Sequence, residues 1–277
     1  MTTLVPTQQL EDAGPPDPAG ERLPSRRRPA RLSWLRRWVS PVLLLCLWQA
    51  LSSSGVLPEE KIASPLQIAA AAGGLVADST LGAATLVSVQ RVLIGFAVGA
   101  SIGLGLSVVA GLSRVGEDAI DPPMQMLRTL PHFGLIPLFI VWMGIGEMPK
   151  IALIALGVTF PLYLNTFAGI RSIDRKFLEA AKTLHFSRRQ QLQHVIVPGA
   201  LPQALVGLRQ SLGVAWLSLI VAETVSASSG LGYMINQARE FQQTDVIVVG
   251  LAVYSLLGLL TDALVRSVER RALSWRS

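Results

Sequence analysis

Apolar residues in this chain gather into long blocks separated by polar stretches, rather than alternating with polar residues. A bilayer core about 30 Å thick needs about 20 apolar residues per helical crossing. The first block, Trp38 to Leu57, runs 20 residues without a charge. A polar stretch with Pro58, Glu59, Glu60, Lys61 and Pro65 follows, then a short Ala-rich segment. The second block, Val92 to Ser113, holds 22 uncharged residues and carries Gly95, Gly99 and Gly103 at four-residue spacing. That spacing places three glycines on one helical face, where another helix approaches closely. The third block, about Pro122 to Gly146, is interrupted by Pro131 and Pro137, which predicts a kinked or broken helix. Broken helices survive in membranes where protein or water satisfies the freed backbone groups, so this block is a candidate pathway liner. The fourth is Ile151 to Ile170, the fifth about Leu201 to Ala222, and the sixth Val246 to about Val265. The pattern predicts an all-α polytopic membrane protein with six transmembrane helices.

Composition agrees. Of 277 residues, 51% are hydrophobic and 15% charged, where a soluble domain carries about 25% charged residues. Residues 1–33 differ from the rest: Pro15, Pro16, Pro18, Pro24 and Pro29 stand beside Arg26, Arg27 and Arg28 with few large apolar groups. Such a segment cannot offset its ordering entropy and reads as a disordered basic cytoplasmic tail, leaving 34–277 as the membrane domain. A signal peptide is the rival reading, but the tail is too long for an ordinary n-region and no clean cleavage site follows.

The net charge of +6 raises nucleic acid as a partner. The basic residues argue otherwise, because they cluster between apolar spans. The tail supplies Arg22, Arg26, Arg27, Arg28, Arg31, Arg36 and Arg37. The stretch between spans four and five supplies Arg171, Arg175, Lys176, Lys182, Arg188 and Arg189, and the C-terminus Arg266, Arg270, Arg271 and Arg276. With six spans and the N-terminus inside, these seventeen residues are cytoplasmic, against Lys61, Lys150, Arg239 and the boundary residue Arg91 opposite. Both termini are therefore expected in the cytoplasm. The single cysteine, Cys46, excludes an intrachain disulfide framework and a cysteine-based metal site.

The stretch 172–201 is too long and too basic for a simple connection. Asp174 is placed to cap a first short helix, with Ile173 and Leu178 at staple spacing. Ser187 and Gln190 have capping-box spacing for a second helix, which Pro198 is expected to stop. A docking element for a cytoplasmic partner and a surface-lying amphipathic helix both fit these features.

Within it, Glu179-Ala180-Ala181, then His185, then Val195-Ile196-Val197-Pro198 resembles the EAA loop of ATP-binding cassette (ABC) importer permeases. Three further stretches, 91–99 (RVLIGFAVG), 126–132 (MLRTLPH) and 195–202 (VIVPGALP), resemble the aliphatic sulfonate, taurine and nitrate permease group. The stretch 228–245, followed by 258–262 (GLLTD), is most similar to aliphatic sulfonate permeases. The resemblance implies a type I importer permease fold, with the loop as a coupling helix docking on an ATPase subunit. It implies docking roles for Glu179, Ala180 and Ala181, a turn at His185, and a motif completed by Val195, Val197 and Pro198. His185 stands where the family usually has Gly, and Val195 and Val197 replace Ile and Leu. A turn needing φ > 0 would carry a cost at His185. The resemblance further implies a second copy of the chain, a cytoplasmic ABC ATPase dimer, a periplasmic substrate-binding protein and residence in a bacterial inner membrane. Aliphatic sulfonates are the implied substrate, with taurine, nitrate or bicarbonate as alternatives.

No G-x-x-x-x-G-K-[ST] loop occurs, so no cofactor is expected in this chain and ATP with Mg is expected on the partner ATPase. Candidate pathway residues are Arg128, His132, Arg209 and Trp216, since ionisable groups inside a membrane are functional by default. Arg128 and Arg209 also lie near expected cytoplasmic span ends, where snorkelling explains them equally. Glu223, Asn236, Arg239 and Asp245 either meet a binding protein or fix a re-entrant loop built on Gly230 and Gly232. A membrane-embedded enzyme would need convergent catalytic groups, yet His132, His185 and His194 are scattered. An ion-coupled secondary transporter would show repeated halves and mid-span carboxylates, which the pattern lacks.

Overall fold

A computed structural model describes residues 30–58 and 61–274, with side chains described from Val39 onward. The basic tail expected over 1–33 falls almost wholly outside the described residues. The chain divides into two units, Met1–Leu47 and Trp48–Ser277. In the first, the described residues belong to helix α1 (Ala30–Ser53), where Val42, Leu43, Leu44 and Cys46 are exposed.

The second unit is built on three long helices. α3 (Thr80–Leu112) and α9 (Val197–Ser226) pack on either side of α6 (Glu147–Arg171). In lipid there is no hydrophobic force between helices, so association rests on close packing and interhelical hydrogen bonds. The sequence supplies both. Gly95, Gly99 and Gly103 are all buried on the face of α3 that meets α6. A Cβ at Gly95 would stand 2.7 Å from Ile154, one at Gly103 2.8 Å from the Thr159 carbonyl oxygen, and one at Gly99 would collide with the Ala155 backbone. The Thr159 hydroxyl uses this proximity, donating to the Gly99 carbonyl at 3.1 Å and to the Ala155 carbonyl at 2.8 Å. Gly157, Gly169 and Gly207 do the same between α6 and α9, where the Ser211 hydroxyl donates to the Val158 carbonyl at 2.9 Å. Leu153, Ile154, Val158, Ala215 and Leu219 fill the interior. Leu86, Leu93, Leu256, Leu259 and Leu260 point outward, as lipid-facing residues do.

α4 (Arg114–Thr129) follows α3 through Ser113, which caps it by accepting from the Gly116 N–H at 3.2 Å. Asp121 on α4 accepts from the Tyr163 hydroxyl at 3.1 Å, and Glu117 pairs with Arg171, so α4 is fastened to α6 at two levels. The helix then breaks. Leu130 is extended, as a residue before proline prefers, and a single 3₁₀ turn (His132–Leu135) leads into α5 (Ile136–Met143) at 87° to α4. The expected interruption therefore sits at Pro131 alone. Pro137 lies in the first turn of α5, where a missing N–H leaves no bond unmade.

α2 (Pro65–Ala77), opened by a Ser64–Gln67 capping box, packs on α11 (Thr244–Ala272), while α10 (Leu231–Glu240) packs against α3, α9 and α11. Four helices are long and apolar enough to cross a bilayer, and the bent α4–α5 pair makes five. The expected six crossings are not reached among the described residues. The described apolar part of α1 is Val39–Ser53, about 22 Å of helix, shorter than a hydrocarbon core.

The glycine face makes a direct test. Gly99→Leu drives a side chain into the α6 backbone and is expected to cost about 1–3 kcal/mol or more. It should lower the thermal midpoint of the detergent-solubilised protein. Gly105→Leu, with open space around its Cβ, should leave that midpoint within about a degree or two.

Candidate functional site

Charged side chains converge at the end of the bundle where α6 begins. Arg91 on α3 is only 3% exposed. Its Nε and Nη2 donate to the two Glu147 oxygens at 2.5 and 2.7 Å, a bidentate pair. Its Nη1 reaches Glu223 on α9 at 2.5 Å and the Ser229 carbonyl at 2.7 Å, and its Nη2 also reaches the Ser229 hydroxyl at 3.0 Å. Glu223 is fully buried. Its carboxylate accepts from the Ser88 hydroxyl at 2.8 Å, the Tyr254 hydroxyl at 2.7 Å and the Gly232 N–H at 2.8 Å. Lys150, also buried, donates to Glu147 at 2.8 Å.

Two cations and two carboxylates thus form a neutral cluster in which Arg91, Lys150 and Glu223 are buried and Glu147 is half exposed. That arrangement is what allows burial, because an unpaired charge in a low-dielectric interior costs several kcal/mol. The loop from α9 to α10 closes over it. Gly230 adopts φ +101°, and a Cβ there would stand 2.5 Å from Arg91 Nη1. The alternative in which Glu223 contacts a binding protein is corrected by its burial: it holds the Gly230–Gly232 loop from inside. Asn236 likewise donates to the Thr224 carbonyl at 2.7 Å. Arg91 belongs to this cluster at the end of the bundle.

The basic loop lies at the opposite end of α6. α7 (Arg175–Thr183) begins at Asp174, whose side chain accepts from the Lys176 N–H at 2.9 Å. It ends in a Schellman motif. The Phe186 N–H bonds to the Ala181 carbonyl and the His185 N–H to the Lys182 carbonyl, each at 2.9 Å. His185 sits at the left-handed position with φ +57°. α8 (Arg188–Gln191) opens with the Ser187–Gln190 capping box, both bonds present. Pro198 does not stop this helix. One π-helical turn, Leu192–Ile196, carries the chain from α8 into α9, and Pro198 falls in the first turn of α9. The wider turn bonds the Val197 N–H back to the Leu192 carbonyl, so the helical path continues through the proline.

Glu179 and Ala180 are exposed, as are Phe177 and Leu184, whereas Ala181 is buried. Between α7 and the start of α9 lies a groove of about 690 Å³ lined by Ile173, Phe177, Ala181, Phe186, Val195 and Pro198. Val197 points outward. The loop thus offers an acidic side chain and two exposed apolar ones beside an apolar groove.

The four pathway candidates do not share one site. Arg209 pairs with Asp262 on α11 at 2.7 Å, and Arg266 reaches the same carboxylate at 2.9 Å. The Trp216 indole donates to the Thr261 hydroxyl at 3.1 Å, and Arg209 and Trp216 line one groove of about 780 Å³ between α9 and α11. His132, at the helix break, has Nε2 3.5 Å from the Ser218 hydroxyl. Arg128 lines a separate cavity with Asn165 and Gln210. The uncharged Asn165, Gln210 and Ser218 escape a sequence search made for ionisable groups. Arg91 does carry a signal: it lies four residues before Gly95, on the glycine face.

Known proteins agree with this architecture. Residues 95–274 match the family model described as binding-protein-dependent transport system inner membrane component. The chain is 48% identical over 245 residues to the putative aliphatic sulfonates transport permease protein SsuC of Escherichia coli K12, covering 87% of this chain and 93% of that one. It is 42% identical over 254 residues to the SsuC protein of Bacillus subtilis 168, covering 91% and 92%. Its fold is similar to a chain of the MetNI methionine ABC transporter in an inward-facing form, with TM-score 0.55 and 20% identity over 68% of this chain and 96% of that one.

Three substitutions test the energetics. Arg91→Met leaves Glu223 buried without its cation and is expected to cost about 3–5 kcal/mol. Adding Glu223→Gln to Arg91→Met should recover part of that loss in a double-mutant thermal-unfolding cycle. His185→Gly relieves a left-handed non-glycine residue and should raise the stability of the loop by about 1 kcal/mol, read by hydrogen exchange of the Phe186 and His185 amides.

Proposed function

The chain belongs to the family of binding-protein-dependent transport system inner membrane components, and from that premise we propose that it admits aliphatic sulfonates to the cytoplasm. It is the multi-pass permease subunit of an ABC importer, a transport subunit rather than an enzyme. Membership implies an ATPase and a substrate-binding partner. The observation that supports the sulfonate reading is identity of 42% and 48%, over more than four-fifths of the chain, to two permeases named for aliphatic sulfonates.

The proposed assembly pairs two copies of this chain with two cytoplasmic ATPases and a periplasmic binding protein. One docking loop per chain suits a two-fold ATPase pair. The basic residues around 171–189 support a cytoplasmic loop, and those beyond 266 a cytoplasmic C-terminus. Glu179 and Ala180 would face the ATPase, flanked by Phe177 and Leu184. Ala181, His185, Val195, Val197 and Pro198 would shape the loop that presents them. ATP and Mg would be held by the ATPase alone. Closure of the ATPases would move the loop, and the loop would rock α9 between two arrangements.

The test is ATP-driven uptake by proteoliposomes holding this chain, its ATPase and its binding protein. Ethanesulfonate should accumulate in preference to taurine and nitrate. Uptake of either of those with none of alkanesulfonates would overturn the substrate reading. Glu179→Lys should abolish uptake and weaken co-purification of the ATPase while the permease stays folded in the membrane. Undiminished uptake in that variant would remove Glu179 from the docking surface.

A further inference from the structure

Five basic residues of the bundle pair with carboxylates, whereas Arg128, an exposed residue, does not. Arg91, Lys150, Arg171, Arg209 and Arg266 are all ion-paired. Arg128 has no acceptor among the described residues. It stands in the last turn of α4, directly before the break at Leu130 and Pro131. Irregular backbone at membrane depth persists where it is buried in protein or lines water. The ion pair of Glu117 and the hydrogen bond of Asp121 to α6 set the orientation of α4 below it.

Arg128 lines a cavity of about 430 Å³ with Pro161, Leu164, Asn165, Ala168 and Gln210. Asn165 Nδ2 donates to the Pro161 carbonyl at 2.8 Å and to Gln210 Oε1 at 3.0 Å. Both Asn165 hydrogens are therefore committed. The same bond fixes the Gln210 amide, with its oxygen occupied and its Nε2 left as an unused donor. The cavity has a guanidinium and an oriented amide N–H₂, and no carboxylate lines it. This inventory suits an anion and repels a cation. Asn165 is six residues from the end of α6, so the station lies about 9 Å inside that helix end. The volume holds a small organic anion with waters, each needing about 30 Å³.

We propose that Arg128 and Gln210, the latter oriented by Asn165, form an oxyanion-binding station that takes the sulfonate group of the substrate. The guanidinium fork binds two sulfonate oxygens and Gln210 Nε2 the third. Asn165 is a positioning residue that acts through Gln210. The identity of the anion rests on the sulfonate reading above; the existence of an anion station does not.

The test uses the full transporter in proteoliposomes. In a Cys46→Ser background, Gln210→Cys is treated with an anionic alkylthiosulfonate (2-sulfonatoethyl methanethiosulfonate) and with its trimethylammonium counterpart. The anionic reagent should label faster, relative to the rates of both with a free thiol, by about tenfold, and millimolar ethanesulfonate should slow it. Adding Arg128→Gln should remove the anionic preference. In the parent background, Gln210→Glu keeps the acceptor for Asn165, loses the donor, and should cut sulfonate uptake per ATP hydrolysed by about tenfold or more. Arg128→Lys should retain more uptake than Arg128→Gln. Absence of labelling, equal labelling by both reagents, or labelling unaffected by ethanesulfonate and by sulfate overturns the station. If the unmodified transporter imports no alkanesulfonate while anionic preference and sulfate protection persist, the substrate reading falls and the station stands.

Discussion

A carboxylate with no exposure, Glu223, dictates how one end of this bundle is put together. Buried in a low-dielectric interior, it is stable only with its charge balanced and its oxygens hydrogen-bonded. Arg91 from α3, Ser88 from the same helix, Tyr254 from α11 and the Gly232 N–H from α10 supply those bonds. Glu147 at the start of α6 then takes the rest of the guanidinium, and Lys150 balances Glu147. Five helices are thereby fixed by one neutral set of charges. Removing any one partner strands another, so the cluster acts as a unit and its members are expected to be non-additive.

The other end of the bundle is tied differently. There the ion pairs are Arg171 with Glu117 and Arg209 with Asp262, all partly exposed. Exposed pairs contribute about 0–1 kcal/mol each, against several for breaking a buried one. Between the two ends, α3, α6 and α9 touch through glycine, alanine and serine, with backbone close to backbone. Such an interface resists compression, and buried aliphatic side chains such as Val92, Ile154, Val158 and Leu219 fill the space beside it. The buried, charge-balanced tie therefore lies at the Glu223 end, and the partly exposed ties lie toward the basic loop.

Much of this was legible in the sequence because it depends on local periodicity. The glycine face of α3 follows from four-residue spacing, the Asp174 and Ser187 caps from residue type and position, and the broken third span from Pro131. The resemblance of residues 179–198 to an importer loop was equally local. What could not be read was pairing across the bundle. Counting charges by position along the chain put Arg91 near a boundary and left Glu223 between a binding-protein contact and a loop-fixing role, without joining the two in one buried ion pair. Pro198 was expected to end a helix by its chemistry alone, and a single π turn accommodates it. The cavity polar groups Asn165 and Gln210 are uncharged, and only their mutual hydrogen bond gives them meaning.

The continuity through Pro198 bears on how movement of the loop reaches the interior. α7 closes in a Schellman motif onto α8, and α8 passes through the π turn into α9 without a break, giving a helical path from Arg188 to Ser226. A helix of 39 residues is about 58 Å long and transmits rotation rather than absorbing it. Its far part is pinned through Glu223, while its near part carries the loop. On the proposed docking role, displacing the loop would swing the intervening stretch of α9 about the pinned end. That stretch bears Gln210 facing Arg128 and Ser218 facing His132, on either side of the break between α4 and α5. A small tilt of α9 would change the distance between those groups and the broken helix directly, so the proposed coupling needs no relay through other helices.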